Sequence, residues 1–304
     1  MRVTFFAFAA GLFALALFTG CRASGGMEVV DRSGRTVTIN GPINRIISTA
    51  PSNTEIISSL GLAHKLVAID VHSANVAGVP AGVVELDFFF PDAEVILGLA
   101  PDLIIASGHN TTGAGADPFL LLRQAGIPVV FIPMSNSIED IYRDVAFVAD
   151  ILQAQETGER VIREMQAEIA EIAEIVRLGG TEGLPAVYFE ISIAPEMITL
   201  GGNSFLDDMI SLAGARNIFG DESWFVMPSA EAVIQRNPDI IFTNVTFIDD
   251  PIGEIKNRLG FEHINAVINN RIYLIDEDSS MRSSPRIVYA LRQMAYVINN
   301  VYAP

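Results

Sequence analysis

The residues whose side chains could most readily bind a metal ion or take part in a reaction are four histidines and one glutamate. His72 and His109 follow strand-like runs, whereas His64 follows a helix and His263 falls in a polar turn. A bare Zn²⁺ or Mn²⁺ site needs three or four converging N, O or S ligands. His72, His109 and Glu190 could supply such a set, but no HxH pair or histidine-rich loop accompanies them. We therefore predict that the protein has no bare metal site. The alternative is a protein that binds a bare metal ion (Zn/Mn).

The sequence carries none of the common catalytic motifs. It has no GxSxG nucleophile elbow, no HExxH pair and no GxxxxGK[ST] phosphate loop. Glu190 lies two positions after Tyr188 and could act in acid–base chemistry, but an isolated pair is a weak indication. We predict that the protein is not an enzyme and holds no resident cofactor. A two-lobed α/β enzyme is the other alternative.

Residues 1–20 are predicted to be an export signal. Arg2 precedes the apolar run VTFFAFAAGLFALALFTG, which ends directly before Cys21, the only cysteine. The segment FTGC resembles a bacterial lipobox, so acyl chains on Cys21 would hold the exported protein at the cell membrane, facing the periplasm or the cell exterior. Residues 21–28 would form a lipidated tether. The run is only just long enough for the alternative, a transmembrane anchor.

The composition excludes several classes of protein. The chain has 36 acidic and 19 Lys or Arg residues, a formal net charge of −17, and no basic cluster. Nucleic acid binding needs clustered cations, so we predict no nucleic acid partner. A single cysteine excludes an intrachain disulfide, so stability must come from burial. No second long apolar run follows the signal, so membrane contact is expected through the lipid anchor only. We also expect a monomer.

Strands and helices alternate along most of the chain, which indicates parallel sheets with helices on both faces. Residues 29–153 contain the strand-like runs RIISTA, KLVAID, PDLIIASG and IPVVFIP. Residues 154–179 carry apolar side chains at helical spacing and predict one long helix. The alternation restarts in 180–304. APDLIIAS and NPDIIFTN each follow a helix with Glu-x-Val-Ile or Glu-Ala-Val-Ile, a weak internal repeat.

Several blocks together carry a family resemblance. They are RIISTAPSNTEIISSLGLAHKLVAID, PDAEVILGLAPDLIIAS, GIPVVFIP and LGGNSFLDDMISLAGARNIFGD, followed by EAVIQRNPDIIF. In order and spacing they resemble the iron-siderophore and vitamin B12 class of ABC-transporter substrate-binding proteins, over nearly all of residues 29–300. The resemblance implies an α/β fold of two Rossmann-like lobes joined by one long backbone helix, with the ligand cleft between the lobes. It also implies capture of a bulky iron or cobalt chelate, such as a ferric siderophore, cobalamin or haem, for delivery to the membrane permease.

The resemblance further implies that one acidic residue on each lobe meets arginines of the permease. By motif position these are Glu55 in APSNTE and Asp208 in NSFLDDMI, with Asp207 as the substitute for the second. Ser52 and Glu55 also have the spacing of a capping box, in which each side chain bonds a free amide at the helix start. The two roles predicted for Glu55 are compatible.

Ligands of open α/β sheets bind beyond the carboxyl ends of the strands, so the loops there are the predicted cleft. Aromatic rings in these loops would suit a flat or bulky organic ligand. Arg282 could neutralise a carboxylate or phosphate of the ligand, and His109 or Tyr188 could ligate haem. One ring of Phe88–Phe90 is expected in the core. The predicted cleft residues are Ser52, Asn53, His72, Phe88, Phe89, Phe90, His109, Asn110, Tyr188, Glu190, Trp224, Phe225, Met227, Asn244 and Arg282.

Overall fold

The structure is a computed structural model that describes residues 26–89, 91–111, 117–179 and 183–300. The predicted export signal, the lipidation residue Cys21 and the predicted cleft residue Phe90 lie outside these ranges. Within the described ranges, no helix has both the length and the apolar character required to cross a membrane.

The first lobe contains an antiparallel hairpin and a five-stranded parallel sheet. Its strands are β1 (Met27–Val30), β2 (Thr36–Ile39), β3 (Ile46–Ser48), β4 (Leu66–Asp70), β5 (Val84–Leu86), β6 (Leu103–Ser107) and β7 (Val129–Ile132). Its helices are α1 (Pro51–Ser59), α2 (Ala93–Gly98), α3 (Leu120–Gln124) and α4 (Ile138–Ile151). The sheet order is β5-β4-β3-β6-β7. Every residue of β6 is buried, as expected for a strand with helices over both faces.

A single helix of 25 residues, α5 (Gln155–Gly179), follows the first lobe. At 1.5 Å per residue it is about 37 Å long. Val161, Met165 and Ile172 are buried along one face. The opposite face carries exposed pairs of charges such as Arg160 with Glu164, which keep that face in solvent.

The second lobe repeats the alternation around a four-stranded parallel sheet. Its strands are β8 (Ala186–Glu190), β9 (Thr199–Leu200), β10 (Arg216–Asn217), β11 (Phe225–Val226), β12 (Ile240–Thr243) and β13 (Ile272–Leu274). Its helices are α6 (Phe205–Leu212), α7 (Ala230–Arg236), α8 (Pro251–Asn257), α9 (Asn265–Ile268), α10 (Glu277–Met281) and α11 (Ile287–Ile298). The parallel order is β10-β8-β12-β13, and β9 pairs with β11 in a separate antiparallel ribbon. The predicted two-lobed α/β fold is confirmed.

One hydrophobic core is continuous between the lobes. Val145 of α4, Ile172 of α5, Met209 of α6 and Leu291 of α11 all belong to it, and these helices contact one another. Side chains in such a core are close-packed, so a rotation of one lobe against the other would disturb many contacts. The helices therefore favour limited hinge motion.

The predicted capping box of Ser52 and Glu55 is wrong. Helix α1 begins at Pro51, its N-cap is Ala50, and no side chain caps it. Proline suits the first helical position because its φ is fixed and its missing N–H needs no partner there. The helix therefore starts before Ser52, and the carboxylate of Glu55 is free to bond partners elsewhere.

Close approach of α4 and α5 generates a prediction at Gly158. A Cβ added to Gly158 would overlap the side chain of Ala149, which is itself buried. Gly158→Ala should therefore lower the free energy of unfolding by about 1–3 kcal/mol, since the two helices must separate. Urea denaturation measures the change.

Gly98→Ala is the matched control, because Gly98 is also helical and a Cβ there would meet nothing within 4 Å. This variant should be neutral or slightly more stable than wild type. Equal stabilities for the two variants would contradict the close packing of α4 on α5.

Candidate functional site

A polar cavity of about 600 Å³ lies between the two lobes. The first lobe supplies the loops that follow β3, β4, β5 and β6, and the second supplies α10 and the loop after it. The carboxyl ends of parallel strands therefore surround this cavity, the position at which open α/β sheets bind ligands. Its walls are Thr49, Ala50, Pro51, Ser52, Asp70, Val71, His72, Ala74, Asn75, Phe89, His109, Asn110, Glu277, Asp278, Met281, Arg282 and Ser283.

An apolar cavity of about 350 Å³ adjoins the polar one. The two have His109, Met281 and Ser283 in common, so they form one cleft with two chemically different halves. The remaining walls of the apolar cavity are Met134, Ser135, Ile191, Ile198, Leu200, Phe205, Trp224 and Phe225. Such a cleft matches a ligand that has both a polar and an apolar face.

Hydrogen bonds fix the first-lobe wall of the polar cavity. The Asp70 carboxylate accepts from the backbone N–H of His72 at 2.9 Å, which caps the short 3₁₀ turn after β4. The Asn110 side-chain oxygen accepts from the Thr49 hydroxyl at 2.5 Å and from the Ser107 N–H at 2.9 Å. The wall is therefore largely formed before any ligand arrives.

Burial changes the pKa values of two groups on this wall. Desolvation raises the pKa of Asp70 above its ordinary value, although the His72 amide opposes the shift. Desolvation also lowers the pKa of His109, which nearby Asp70 only partly offsets. His109 therefore faces the cleft chiefly as a neutral ring near pH 7, able to accept or donate a hydrogen bond.

The buried carboxylate of Glu55 connects the two lobes. One oxygen accepts from Arg282 at 2.8 Å and from Arg286 at 3.3 Å, and the other accepts from the Ser284 hydroxyl. Only 3% of the Glu55 side chain is exposed. We call the set formed by these residues and two others the interlobe seam: Glu55, Asn75, Asp278, Arg282, Ser284 and Arg286. Asn75 donates to Asp278 across the lobes at 2.7 Å.

Arg282 is fully engaged in the interlobe seam. Besides Glu55, its guanidinium bonds Asp278 at 2.7 Å, the His72 carbonyl at 3.1 Å and the Asn75 side-chain oxygen at 3.0 Å. Two carboxylates thus balance its charge. The prediction that Arg282 neutralises an anionic ligand is therefore corrected, because the charge serves contacts between the lobes.

The structure brings eight of the predicted cleft residues to the cleft walls. Ser52, His72, Phe89, His109, Asn110 and Arg282 line the polar cavity, and His109, Trp224 and Phe225 line the apolar one. Met227 is exposed but lies on neither wall. That these residues contact a ligand stays a prediction.

Two predicted cleft residues of the first lobe belong to its interior. Phe88 is fully buried in the core beneath the sheet, whereas its neighbour Phe89 is 59% exposed at the cavity. Both rings lie in the turn that follows β5, and only the second faces the cavity. Asn53 is also buried, and its amide donates to the Ile105 carbonyl at 3.2 Å, which joins α1 to β6. Both predictions are corrected.

Three predicted cleft residues of the second lobe are also buried. Glu190 forms a fork with Arg258 at 2.7 and 3.1 Å, so its charge is balanced inside the lobe. Tyr188 packs edge-on against Phe219 in the core, where it can neither ligate haem nor form an acid–base pair facing the cleft. Asn244 donates to the Ser280 hydroxyl at 2.9 Å. Side chains near the end of a strand point alternately to the cleft and to the core, and the side chains of these three residues lie in the core.

The two predicted docking acids are used inside the protein. Glu55 is buried in the interlobe seam, so its carboxylate does not present itself to an outside arginine, and its predicted role is corrected. Asp208 is half-buried, and its carboxylate accepts from the Ile138 N–H across the lobes at 2.9 Å. The substitute Asp207 is also half-buried, and desolvation raises its pKa.

Sequence reasoning missed two exposed acids in equivalent places. Glu94 lies in the first turn of α2 and Glu231 in the first turn of α7, and both are exposed. These helices precede β6 and β12, the strands of the internal repeat. The internal repeat could therefore have identified these two glutamates, since its Glu-x-Val-Ile and Glu-Ala-Val-Ile segments occupy the same position in each lobe. Glu277 and Asp278, which were not among the predicted cleft residues, add two acids to the polar cavity.

Metal-binding side chains do not cluster in the part of the chain that the structure describes. There, no group of three or more His, Cys, Asp or Glu residues is placed to hold a metal ion.

The interlobe seam predicts a large effect for Glu55→Ala. Loss of the carboxylate leaves Arg282, Ser284 and Arg286 without their common acceptor, which should cost about 2–3 kcal/mol of unfolding free energy. Urea denaturation measures the loss. Glu159→Ala is the control, since its exposed pair with Arg163 should contribute less than about 1 kcal/mol. Equal losses in the two variants would show that the interlobe seam does not stabilise the protein.

Comparisons with known proteins agree with this architecture. Residues 46–279 match the periplasmic binding protein family. The chain is 28% identical to an ABC transporter substrate-binding lipoprotein of Bacillus subtilis, over 88% of this chain and 84% of that protein. A possible iron-binding (periplasmic solute-binding) protein of Staphylococcus epidermidis is 30% identical, with a TM-score of 0.75 over 85% of this chain and 99% of that one. The periplasmic vitamin B12-binding protein of Vibrio cholerae is 26% identical, with a TM-score of 0.68 over 86% and 98%.

The family match extends from β3 to α10 and so includes both lobes and both sides of the cleft. This agreement confirms the resemblance seen in the sequence, and the chain belongs to the periplasmic binding protein family.

Proposed function

We propose that this protein captures a bulky iron or cobalt chelate and delivers it to the permease of an ABC importer. The two-part cleft is the observation that carries the proposal. A polar cavity of about 600 Å³ continues into an apolar one of about 350 Å³, and both are lined by residues of both lobes. A ferric siderophore, a cobalamin or a haem has polar groups at its edge and extended apolar surface, so each could use both halves.

Relatives support this class of ligand. One similar structure is that of a possible iron-binding protein and another that of a vitamin B12-binding protein, at 30% and 26% identity. A bare metal ion would need only three or four ligand atoms and would leave most of the cleft unused. The protein would bind its substrate without changing it chemically, so it is not an enzyme.

A lipid anchor would keep the protein beside its permease. The lipobox-like FTGC segment supports acylation at Cys21, and the similar Bacillus subtilis protein is named a lipoprotein. We propose that the exported chain is held by Cys21 at the cell membrane, facing the periplasm or the cell exterior, and acts as a monomer.

Trp224 gives a direct test of the ligand class. It is the only tryptophan and lines the apolar cavity, so a bound chromophoric chelate should quench its fluorescence. The chain from residue 22 would be titrated with cyanocobalamin, haem and a panel of ferric siderophores, with calorimetry in parallel. We expect saturable, submicromolar binding of at least one of them.

Trp224→Phe separates the optical signal from binding. This variant should lose the quenching and keep calorimetric binding, because phenylalanine preserves most of the apolar contact. Absence of calorimetric heat with every chelate, in a folded wild-type protein, would refute the proposed ligand class.

For docking on the permease we propose Glu94 and Glu231 in place of Glu55 and Asp208. Each is exposed, each lies in the first turn of a helix, and the two helices hold equivalent places in the two lobes. A pair of acids that is repeated in this way can meet two arginines related by the symmetry of a permease dimer. Backbone and Ser229 hydrogen bonds lower the pKa of Glu231, which favours its charged form.

Charge reversal tests the docking proposal. The double variant Glu94→Lys and Glu231→Lys should bind the reconstituted importer about tenfold more weakly or worse, because like charges then meet at the interface. Chelate binding should be unchanged. Glu159→Lys and Glu164→Lys, two exposed positions on α5, form the control for net charge. Docking of the double variant at wild-type affinity would exclude Glu94 and Glu231.

A further inference from the structure

We propose that the cleft selects chelates with a neutral or positively charged periphery, and that Asp70 is the residue that recognises the positive charge. This inference rests on the proposed function and adds to it the charge class of the ligand.

Asp70 differs from the other buried acids of the protein. Five carboxylates are buried in the described part of the chain: Asp31, Glu55, Asp70, Asp144 and Glu190. Four of them form an ion pair with an arginine, namely Arg35, Arg282, Arg32 and Arg258 in the same order. In that part of the chain, Asp70 is the exception.

The Asp70 carboxylate has a backbone partner in place of a cation. It accepts from the His72 N–H, its residue is 95% buried, and it lies on the wall of the polar cavity. Burial of a carboxylate with no arginine or lysine paired to it is unfavourable. Desolvation accordingly raises the pKa of Asp70 by more than the neighbouring His72 and His109 lower it. A cationic group of a ligand would supply the charge that an arginine supplies to the other four acids.

Apart from Arg282 and two histidines, the other ionisable side chains on the polar cavity wall are acids. Glu277 and Asp278 face it from the second lobe, and Arg282 contributes a guanidinium already shared by Glu55 and Asp278. His109 adds little positive charge near neutral pH, because burial lowers its pKa. Within the described residues the cavity is therefore acidic, and it belongs to a chain of formal net charge −17.

The acidity of the cavity should act most strongly against anionic ligands. A cleft lined by one sign of charge concentrates the field between its low-dielectric walls. A ligand carboxylate would enter this field and find no uncommitted arginine to receive it among the described wall residues. The apolar cavity contributes affinity without regard to charge, so the acids determine which of several chelates of similar size is bound.

The test uses chelates that differ in charge and share one scaffold. Ferrioxamine B carries a primary ammonium, its N-acetyl derivative is neutral, and its N-succinyl derivative is anionic. Cyanocobalamin and its monocarboxylate, made by hydrolysis of one peripheral amide, form a second series. Calorimetry on the full exported chain should show affinity falling as the ligand becomes more negative, within whichever scaffold binds.

Two variants connect this order to Asp70. Asp70→Asn keeps an oxygen that can accept from the His72 N–H and removes the charge. It should reduce the preference for the more positive member of a series about tenfold. Glu262→Gln is the matched control, since Glu262 is an exposed acid outside both cavities. It alters net charge equally and should leave the preference unchanged.

The outcomes distinguish this inference from the proposed function. If an anionic chelate, haem included, binds more tightly than its neutral or cationic counterparts, the charge class is refuted while the capture of chelates stands. If Asp70→Asn changes the preference no more than Glu262→Gln does, Asp70 is not the selecting residue. If no chelate of any charge binds, the proposed function fails and the inference with it.

Discussion

The buried carboxylate of Glu55 is the contact on which the relation between the lobes depends. It projects from α1 of the first lobe and accepts hydrogen bonds from Arg282, Ser284 and Arg286 of the second. A carboxylate in this environment is tolerated only while its partners remain in reach, so the lobes are held at the separation that the three donors require. Arg282 is also a wall of the polar cavity. The distance between the lobes and the shape of the binding site are consequently set by the same side chain.

The shared core restricts the lobes in a second way. Helices α4, α5, α6 and α11 bury one continuous cluster, while the interlobe seam joins the lobes beside the polar cavity. A lobe rotation would have to break the ion pairs of the seam and disturb the close packing of the helices. The walls are thus largely preformed, and Asn110, held by Thr49 and Ser107, is one example. Preformed walls discriminate by shape and charge, because little ordering free energy is left to be spent on adapting to a ligand.

The fold could be predicted from the sequence because it rests on periodic patterns. Alternating strands and helices, and the apolar face of the long helix, are repeated over many residues, so single deviations do not change the result. For the site, the sequence predicted which loops line the cleft but not which side chains face it. The end of a strand identifies a loop, but it does not determine the direction of each side chain in that loop. Phe88 and Phe89 are adjacent, yet one is core and the other lines the cavity. The partners of Glu55 lie more than 220 positions away along the chain, so local spacing suggested a helix cap instead.

Both halves of the cleft contain a feature that weakens the fold. In the polar cavity, Asp70 is buried without the arginine that accompanies each other buried acid in the described chain. In the apolar cavity, Trp224 has a φ of +56°, a left-handed conformation that is unfavourable for a residue with a large side chain. Two backbone bonds hold it there, from the Trp224 N–H to the Gly202 carbonyl and from the Gly201 N–H to the Trp224 carbonyl. These two features lie on the walls of one cleft, where binding rather than stability is the expected reason for keeping them.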